Sequence, residues 1–250
     1  MMKVNVLDKG WVCLVDRMGN DLRVCQAARV STGGGASKGD KKDKGLISYL
    51  WKNKHQTPFE KVVFEFHVKC PIFVARQWFR HRIGSFNEAS ARYKEFEWEC
   101  YEPNEWRMQD DKNTQGSLGA FEILDQTNRY NRVMNDAYKQ AKHFYDLALD
   151  EGVAREQART VMPVGQYTEF FWTVNFRSLA NFITLRSHEH AQKEIQEYAD
   201  ALLMILEEQE DLKWTVEIFE KMLYIEHQMS YHIENNGVDS FMAFLDTYDY

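Results

Sequence analysis

Between Val62 and Lys69 the side chains alternate. Val62, Phe64, Phe66 and Val68 share one parity; Val63, Glu65, His67 and Lys69 share the other. A period of two sends neighbouring side chains to opposite faces, so this segment is a strand with one dry and one wetter face. Tyr167–Val174, rich in Thr, Phe, Trp and Val, reads as a second core strand. Lys3–Leu7 and Trp11–Val15 are shorter extended segments joined at Asp8-Lys9-Gly10. Helical patterns fill much of the rest. Residues 119–150 carry the clearest one, with Val133, Ala137, Ala141, Phe144 and Ala148 as its expected buried face and Gly152 as its stop. From Phe176 the chain reads helical almost to Leu212.

The connecting pieces have their own signals. Met18-Gly19-Asn20 is a turn, and Asp21 is expected to cap a short helix. Residues 31–45, rich in Gly and Lys, read as a mobile loop. A stripe of Leu46, Ile47, Leu50 and Trp51 predicts a helix ending near Asn53, and Thr57-Pro58-Phe59-Glu60 resembles a helix start capped by Thr57. Pro71 closes the first core strand and opens a helix from Ile72 to about Arg82. Residues 84–93 are expected to form an irregular binding loop, residues 94–118 a mixed loop, and Val153–Met162 a short helix.

Composition limits the function classes. In 250 residues, 31 Lys and Arg stand against 38 Asp and Glu, a net charge of −7. That balance argues against a general nucleic-acid binder, which needs a basic face, but leaves room for a local cationic pocket. Much of the negative charge lies at the end, where Lys213 and Lys221 meet Glu217, Glu220, Glu226, Glu234, Asp239, Asp246 and Asp249. The four cysteines form no C-x-x-C pair, and no run of apolar residues is long enough for a membrane span. The expectation is a soluble, cytoplasmic protein without a metal.

Within that acidic chain, residues 76–93 concentrate Arg76, Arg80, His81, Arg82 and Arg92 against the single acid Glu88. Arg76 and Arg80, four apart, would share a helix face and repel unless an anion lay between them. Arginine is suited to bidentate phosphate contacts, and the hydroxyls and amides that follow suit a nucleotide. The competing reading is a solvated basic face. Arg155, Arg159, Arg177 and Arg186, with Asn175 and Asn181, form a second set. Asn175 lies where it could cap a helix or bind. His188-Glu189-His190 has the wrong spacing for the H-E-x-x-H zinc motif, and the glycine loop lacks the Gly-Lys-Ser/Thr of a phosphate-binding loop. Cys70, ending an apolar strand, reads as a core thiol rather than a nucleophile.

Arg80-His81-Arg82-Ile83-Gly84-Ser85-Phe86-Asn87-Glu88-Ala89-Ser90-Ala91-Arg92-Tyr93 resembles the signature R-H-R-x-x-S-x-N-E-x-S-x-R-Y of the flavin-dependent thymidylate synthases. The similarity extends to His55–Glu60, Ala75–Phe79, Ala158-Arg159 with Pro163, and Phe171–Asn175 through Asn181 and Arg186, or roughly residues 3–206. The resemblance implies an α/β (α+β) fold, one domain over residues 1–212 with a central mixed sheet flanked by long helices, and 213–250 as a helical acidic extension packed on it. It implies methylation of dUMP to dTMP with methylenetetrahydrofolate as one-carbon donor, NADPH-reduced FAD as hydride source, and no cysteine nucleophile. It also implies a homotetramer with shared active sites. By the same resemblance, FAD would meet His55, Thr57, Arg80, His81, Arg82, Glu88, Asn175, Arg177 and Asn181. The nucleotide dUMP would meet Gln77, Arg80, Glu88, Ala89, Ser90, Ala91, Arg92, Arg159 and Arg186, with Arg186 as the catalytic group. The alternatives are a non-catalytic flavin- or nucleotide-binding relative and a metal-dependent hydrolase built on His188, Glu189 and His190.

Overall fold

The computed structural model describes residues 2–93, 95, 97–111, 116–121, 124–236 and 238–247. The chain divides into two compact units. The first holds residues 2–17 and 63–205. Its sheet contains β1 (Met2–Val6), β2 (Gly10–Met18), β3 (Val63–Pro71), β4 (Ser85–Glu88) and, later in the chain, β7 (Tyr167–Asn175). Their order is β1-β2-β3-β7-β4. β7 is antiparallel to both of its neighbours, and β1 is antiparallel to β2. A separate hairpin joins β5 (Arg107–Gln109) and β6 (Ser117–Ala120).

The alternation in β3 is realised as expected. Phe64, Phe66, Val68 and Cys70 are fully buried, while Glu65, His67 and Lys69 face the wetter side. On that side His67 stacks on Phe171 at 4.3 Å, with Trp11 edge-on at 4.7 Å. The dry face is covered by α3 (Ile72–Trp78), α6 (Phe176–Arg186) and α7 (Lys193–Glu207). Trp78 is the centre of this core, with its ring against Phe182 at 4.6 Å and against Phe170 and Trp172 at 5.4 Å each.

Several local expectations fail for identifiable reasons. β4 lies inside the predicted loop 84–93; its polar residues carry no apolar pattern, and pairing with β7 makes it a strand. The predicted helix through Arg82 ends at Trp78, where Phe79 and Arg80 close it as a turn. The continuous helix from Phe176 breaks between Arg186 and Lys193. There Ser187 Oγ returns to the Ile183 carbonyl at 2.8 Å, and Gln196 Nε2 donates to the carbonyls of His188, Glu189 and Ala191. Those side-chain bonds satisfy the backbone that a helix would otherwise have to satisfy.

The long helix α4 (Leu124–Asp150) follows its expected buried face only in part: Ala148 is buried as expected, but Val133 and Phe144 are not. Val133 and Phe144 are more than half exposed, whereas Tyr145 and Ala148 are buried, with Trp98 and Leu149 packed against them. The helix has two apolar stripes, and the aromatic one is seated. α5 (Arg155–Ala158) and a 3-10 turn (Arg159–Val161) replace the single helix expected at Val153–Met162.

The second unit comprises residues 18–62 and 206–247. It contains α1 (Asp21–Arg29), α2 (Asp40–Lys52), a 3-10 turn at Thr57–Lys61, α8 (Lys213–Asn236) and α9 (Val238–Thr247). Asn20, not Asp21, caps α1 by accepting the Arg23 amide at 2.9 Å. The Asp21 carboxylate instead accepts the amides of Trp214 (2.8 Å) and Thr215 (3.0 Å) and the Thr215 hydroxyl (2.6 Å), so it caps α8 from across the unit. The Gly/Lys segment is shorter than expected because α2 already begins at Asp40. Thr57 makes no capping bond. Among the described residues, no helix is long and apolar enough to cross a membrane.

Candidate active site

The R-H-R segment begins where α3 stops. Because the helix ends at Trp78, Arg76 and Arg80 do not share a continuous helix face. His81 turns back onto α6, with its ring edge-on to Phe182 at 4.7 Å. Its Nε2 accepts a bond from Arg186 Nε at 2.9 Å, and Arg186 Nη2 donates to the Gln77 carbonyl at 3.4 Å. The fold thus brings Arg186 of α6 to Gln77 and His81 at the end of α3. Since Nε2 accepts, the His81 ring is neutral with its proton on Nδ1. Burial, reinforced by the Arg186 charge, pushes His81 down to about 4. Burial also lowers Arg186 from the usual guanidinium range.

This carries a pH prediction. His81 binds its proton less readily when folded than when unfolded, so its contribution to stability is complete above about 6.5. It is lost as pH falls toward about 4. Acid titration of His81→Gln should lack this component. An unchanged acid limb would contradict the assignment.

Gln77 is tied at its side chain as well. Gln77 Nε2 donates to Gln192 Oε1 at 2.5 Å, and Gln192 Nε2 donates to Glu194 Oε2 at 2.8 Å. Glu194 is buried and accepts from Arg107 Nη2 (2.7 Å) and the Tyr101 hydroxyl (3.2 Å). Burial alone would raise the Glu194 carboxyl, but the bond from Arg107 and its charge hold it below the ordinary carboxylate value. Sequence reasoning passed over Gln192 and Glu194, because polar residues opening a helix look like capping residues.

A second group forms where β4 ends. Glu88 accepts the Thr168 hydroxyl at 2.8 Å, and the Ala89 amide donates to the Glu169 carbonyl at 2.8 Å. Ser90 Oγ accepts the Arg92 amide at 3.3 Å, and Ala91 is buried beneath the turn. The Arg92 guanidinium lies 3.6 Å from Glu156 and over the Tyr93 ring. Glu156 precedes Arg159 by three residues, so Arg92 and the Arg159 segment are neighbours. Beside β4 a cavity of about 410 Å³ is lined by Glu65, Ser85, Phe86, Asn87, Phe171 and Thr173. Arg80, Arg82 and Arg159 are exposed and make no ion pair among the described residues.

The remaining predicted residues are more dispersed. Asn175 caps α6 by accepting the Ser178 amide at 2.9 Å. Arg177 and Asn181 are exposed on that helix. Arg186 lies nine residues beyond Arg177, which at about 100° per residue is the opposite side. His55 and Thr57 belong to the second unit, both exposed, with the His55 amide donating to Leu50 at 2.8 Å. His188 and His190 lie in the loop after α6 rather than on a helix, and no metal-ligating group of three or more gathers among the described residues. All four cysteines are buried thiols. Burial pushes Cys25 and Cys100 up to about 11 and Cys70 well above its ordinary value.

Comparison with known proteins gives this geometry its setting. Residues 13–210 match the thymidylate synthase complementing protein family. A flavin-dependent thymidylate synthase of Thermosipho melanesiensis is 50% identical over 227 residues, covering 89% of this chain and 96% of the relative. That of Thermus thermophilus is 47% identical, covering 85% and 77%. Among solved structures, the UMP/dUMP methylase PolB of Streptomyces cacaoi bound with 5-Br dUMP is similar, with a TM-score of 0.78. It is 34% identical, and the match covers 87% of this chain and 97% of that one. The arginine-rich segment, its partners on α6 and the extent of these matches lead to one assignment: the chain belongs to the thymidylate synthase complementing family of flavin-dependent thymidylate synthases.

Proposed function

We propose that this protein methylates dUMP to dTMP, with methylenetetrahydrofolate as one-carbon donor, FAD as cofactor and NADPH as reductant. The observation that carries this reading is the Arg186–His81–Gln77 junction at the start of the signature segment. FAD, when bound, supplies hydride chemistry. The donor set fits such a group. Arg80 and Arg82 are exposed guanidiniums without ion pairs among the described residues, matched to a diphosphate, and Asn181 offers an exposed amide. His55, Thr57, His81, Glu88, Asn175 and Arg177 complete the proposed flavin set.

For the nucleotide, Arg92 and Arg159 suit the 5′-phosphate. Glu88, Ala89, Ser90 and Ala91 shape the turn beneath it, and Gln77 and Arg80 border the base and sugar. Arg186 suits the uracil carbonyl and N3 edge, where it stabilises negative charge as C5 becomes nucleophilic. A serine needs an adjacent base to act as nucleophile, and Ser90 Oγ bonds only a backbone amide among the described residues. The raised cysteine thiols support a reaction without an enzyme thiolate.

The same reading includes a homotetramer with shared sites, in the cytoplasm. Two features support the assembly. The stripe of Val133 and Phe144 on α4 is exposed, and Arg177 with Asn181 points away from Arg186 on α6. One chain's α6 can therefore serve two ligand positions.

The test is release of tritium from C5-labelled dUMP, dependent on methylenetetrahydrofolate and NADPH. Bound flavin without release would instead identify a non-catalytic relative. Arg92→Ala should weaken dUMP binding by roughly tenfold or more, as expected for a lost charge-assisted contact, while flavin content holds. Unchanged nucleotide affinity would remove Arg92 from the phosphate site.

A further inference from the structure

We propose that Gln192 and Glu194 are positioning residues that fix the polarity of Gln77, so that its carbonyl oxygen faces an O–H or N–H donor of the nucleotide. The inference rests on the proposed reaction and names a specificity device within it.

A glutamine side chain is nearly symmetric in shape but not in chemistry, and its orientation is set by its neighbours. Glu194 is an ionised, buried acceptor already held by Arg107 and Tyr101. Only the NH2 end of Gln192 can face it, and that is the end found there, at 2.8 Å. Gln192 must then offer its oxygen to Gln77, and Gln77 must answer with its NH2 group, as observed at 2.5 Å. The Gln77 side-chain oxygen is left with no hydrogen-bond partner among the described residues, available to a ligand. The backbone of Gln77 is separately anchored by Arg186. A carboxylate on α7 thus dictates, through two amides, which hydrogen-bond partner the ligand must supply. A ligand offering an acceptor at that point meets an oxygen and is rejected, because the unmade bond and the repulsion both count against it.

Three substitutions at Gln192 separate polarity from mere support. Gln192→Glu keeps an acceptor for Gln77 and, by sharing one proton with Glu194 as paired carboxylates do, keeps the bond to it, so dUMP affinity and KM should stay within about threefold of the parent. Gln192→Leu removes the acceptor and lets Gln77 turn, so KM for dUMP should rise by roughly tenfold, the equivalent of one hydrogen bond, with a smaller change in kcat. Gln192→Lys can still pair with Glu194, but its ammonium attracts the Gln77 oxygen and turns the NH2 group outward. It should bind dUMP most weakly of the three.

Flavin absorbance of each purified holoenzyme checks that the fold is kept. A purely supporting Gln192 would predict a different order, with Leu mildest and the Glu and Lys variants both impaired, and that result overturns the proposal. Equal affinity for all three overturns it as well. If the parent enzyme itself fails to bind dUMP, the failure lies in the functional reading, and this inference falls with it.

Discussion

Arg186→Ala is expected to abolish dTMP formation while leaving bound flavin near the parent level. A guanidinium carries five N–H groups. Here Nε is committed to His81 and one Nη2 hydrogen to the Gln77 carbonyl, so three remain for a ligand. The two internal bonds fix the plane of the group before any substrate arrives. Such preorganised donors contribute most where charge develops, and losing one costs about 10²–10³ in kcat. Arg186→Lys should not rescue activity, because an ammonium cannot bond His81, the Gln77 carbonyl and a planar carbonyl edge at once.

The substitution also has a signature that does not depend on turnover. Removing the positive charge beside His81 should raise that imidazole from about 4 toward its ordinary value, although burial, the larger cause, persists. Titration of the His81 ring by NMR reads this directly. Flavin lost in proportion to activity, or kcat within fivefold of the parent, would place Arg186 outside the reacting centre.

The parts of this architecture that local chemistry dictates are legible in the sequence. β3 and β7 follow from alternation and β-branched or aromatic content, and both strands are core elements. The arginine clusters were visible because guanidiniums crowded together in an acidic chain require an explanation. What the chain alone withheld were choices made by tertiary partners. Helix α4 offers two apolar stripes, and only Trp98 and its neighbours decide that Tyr145 is seated while Phe144 is left out. The break after Arg186 contains no Pro or Gly; it depends on Gln196, a residue inside the next helix, taking three carbonyls. The same holds at the site. Arg186 was an evident candidate, but its bond to His81, 105 positions away, is a product of the fold.

The largest stability effect is expected at Asp43, in the second unit. Asp43 is 0% exposed and Arg29 is 7% exposed. Arg29 Nη2 meets Asp43 Oδ1 at 2.5 Å. The remaining capacity of the carboxylate is filled by Ser37 Oγ at 2.6 Å and the Lys38 amide at 3.2 Å, while Arg29 Nη1 donates to the Ala36 carbonyl at 3.0 Å. The pair therefore fastens the glycine-rich segment between α1 and α2. That segment, with Arg23, Gln26 and Lys61, borders a cavity of about 730 Å³. Asp43→Asn keeps the shape but leaves a buried guanidinium without its counter-charge. Breaking such a pair from one side costs about 3–5 kcal/mol, a large share of the 5–15 kcal/mol typical of a folded domain. Replacing both partners by apolar residues, as in Arg29→Met with Asp43→Leu, should recover much of the loss, because no charge is then stranded.

The pH dependence has a definite sign. Burial alone would raise the Asp43 carboxyl, but bonds from Ser37, Arg29 and the Lys38 amide hold it below its ordinary value. Its contribution is therefore complete above the ordinary carboxylate range and is lost as pH falls through the lower, folded value. Urea unfolding of the parent, the single variant and the double variant across that range tests all three statements. Proteolysis within residues 33–39 should accelerate in both variants, because the bonds that fasten Ala36, Ser37 and Lys38 are weakened in the single variant and lost in the double. A single variant within about 1 kcal/mol of the parent would show that the pair carries no such weight.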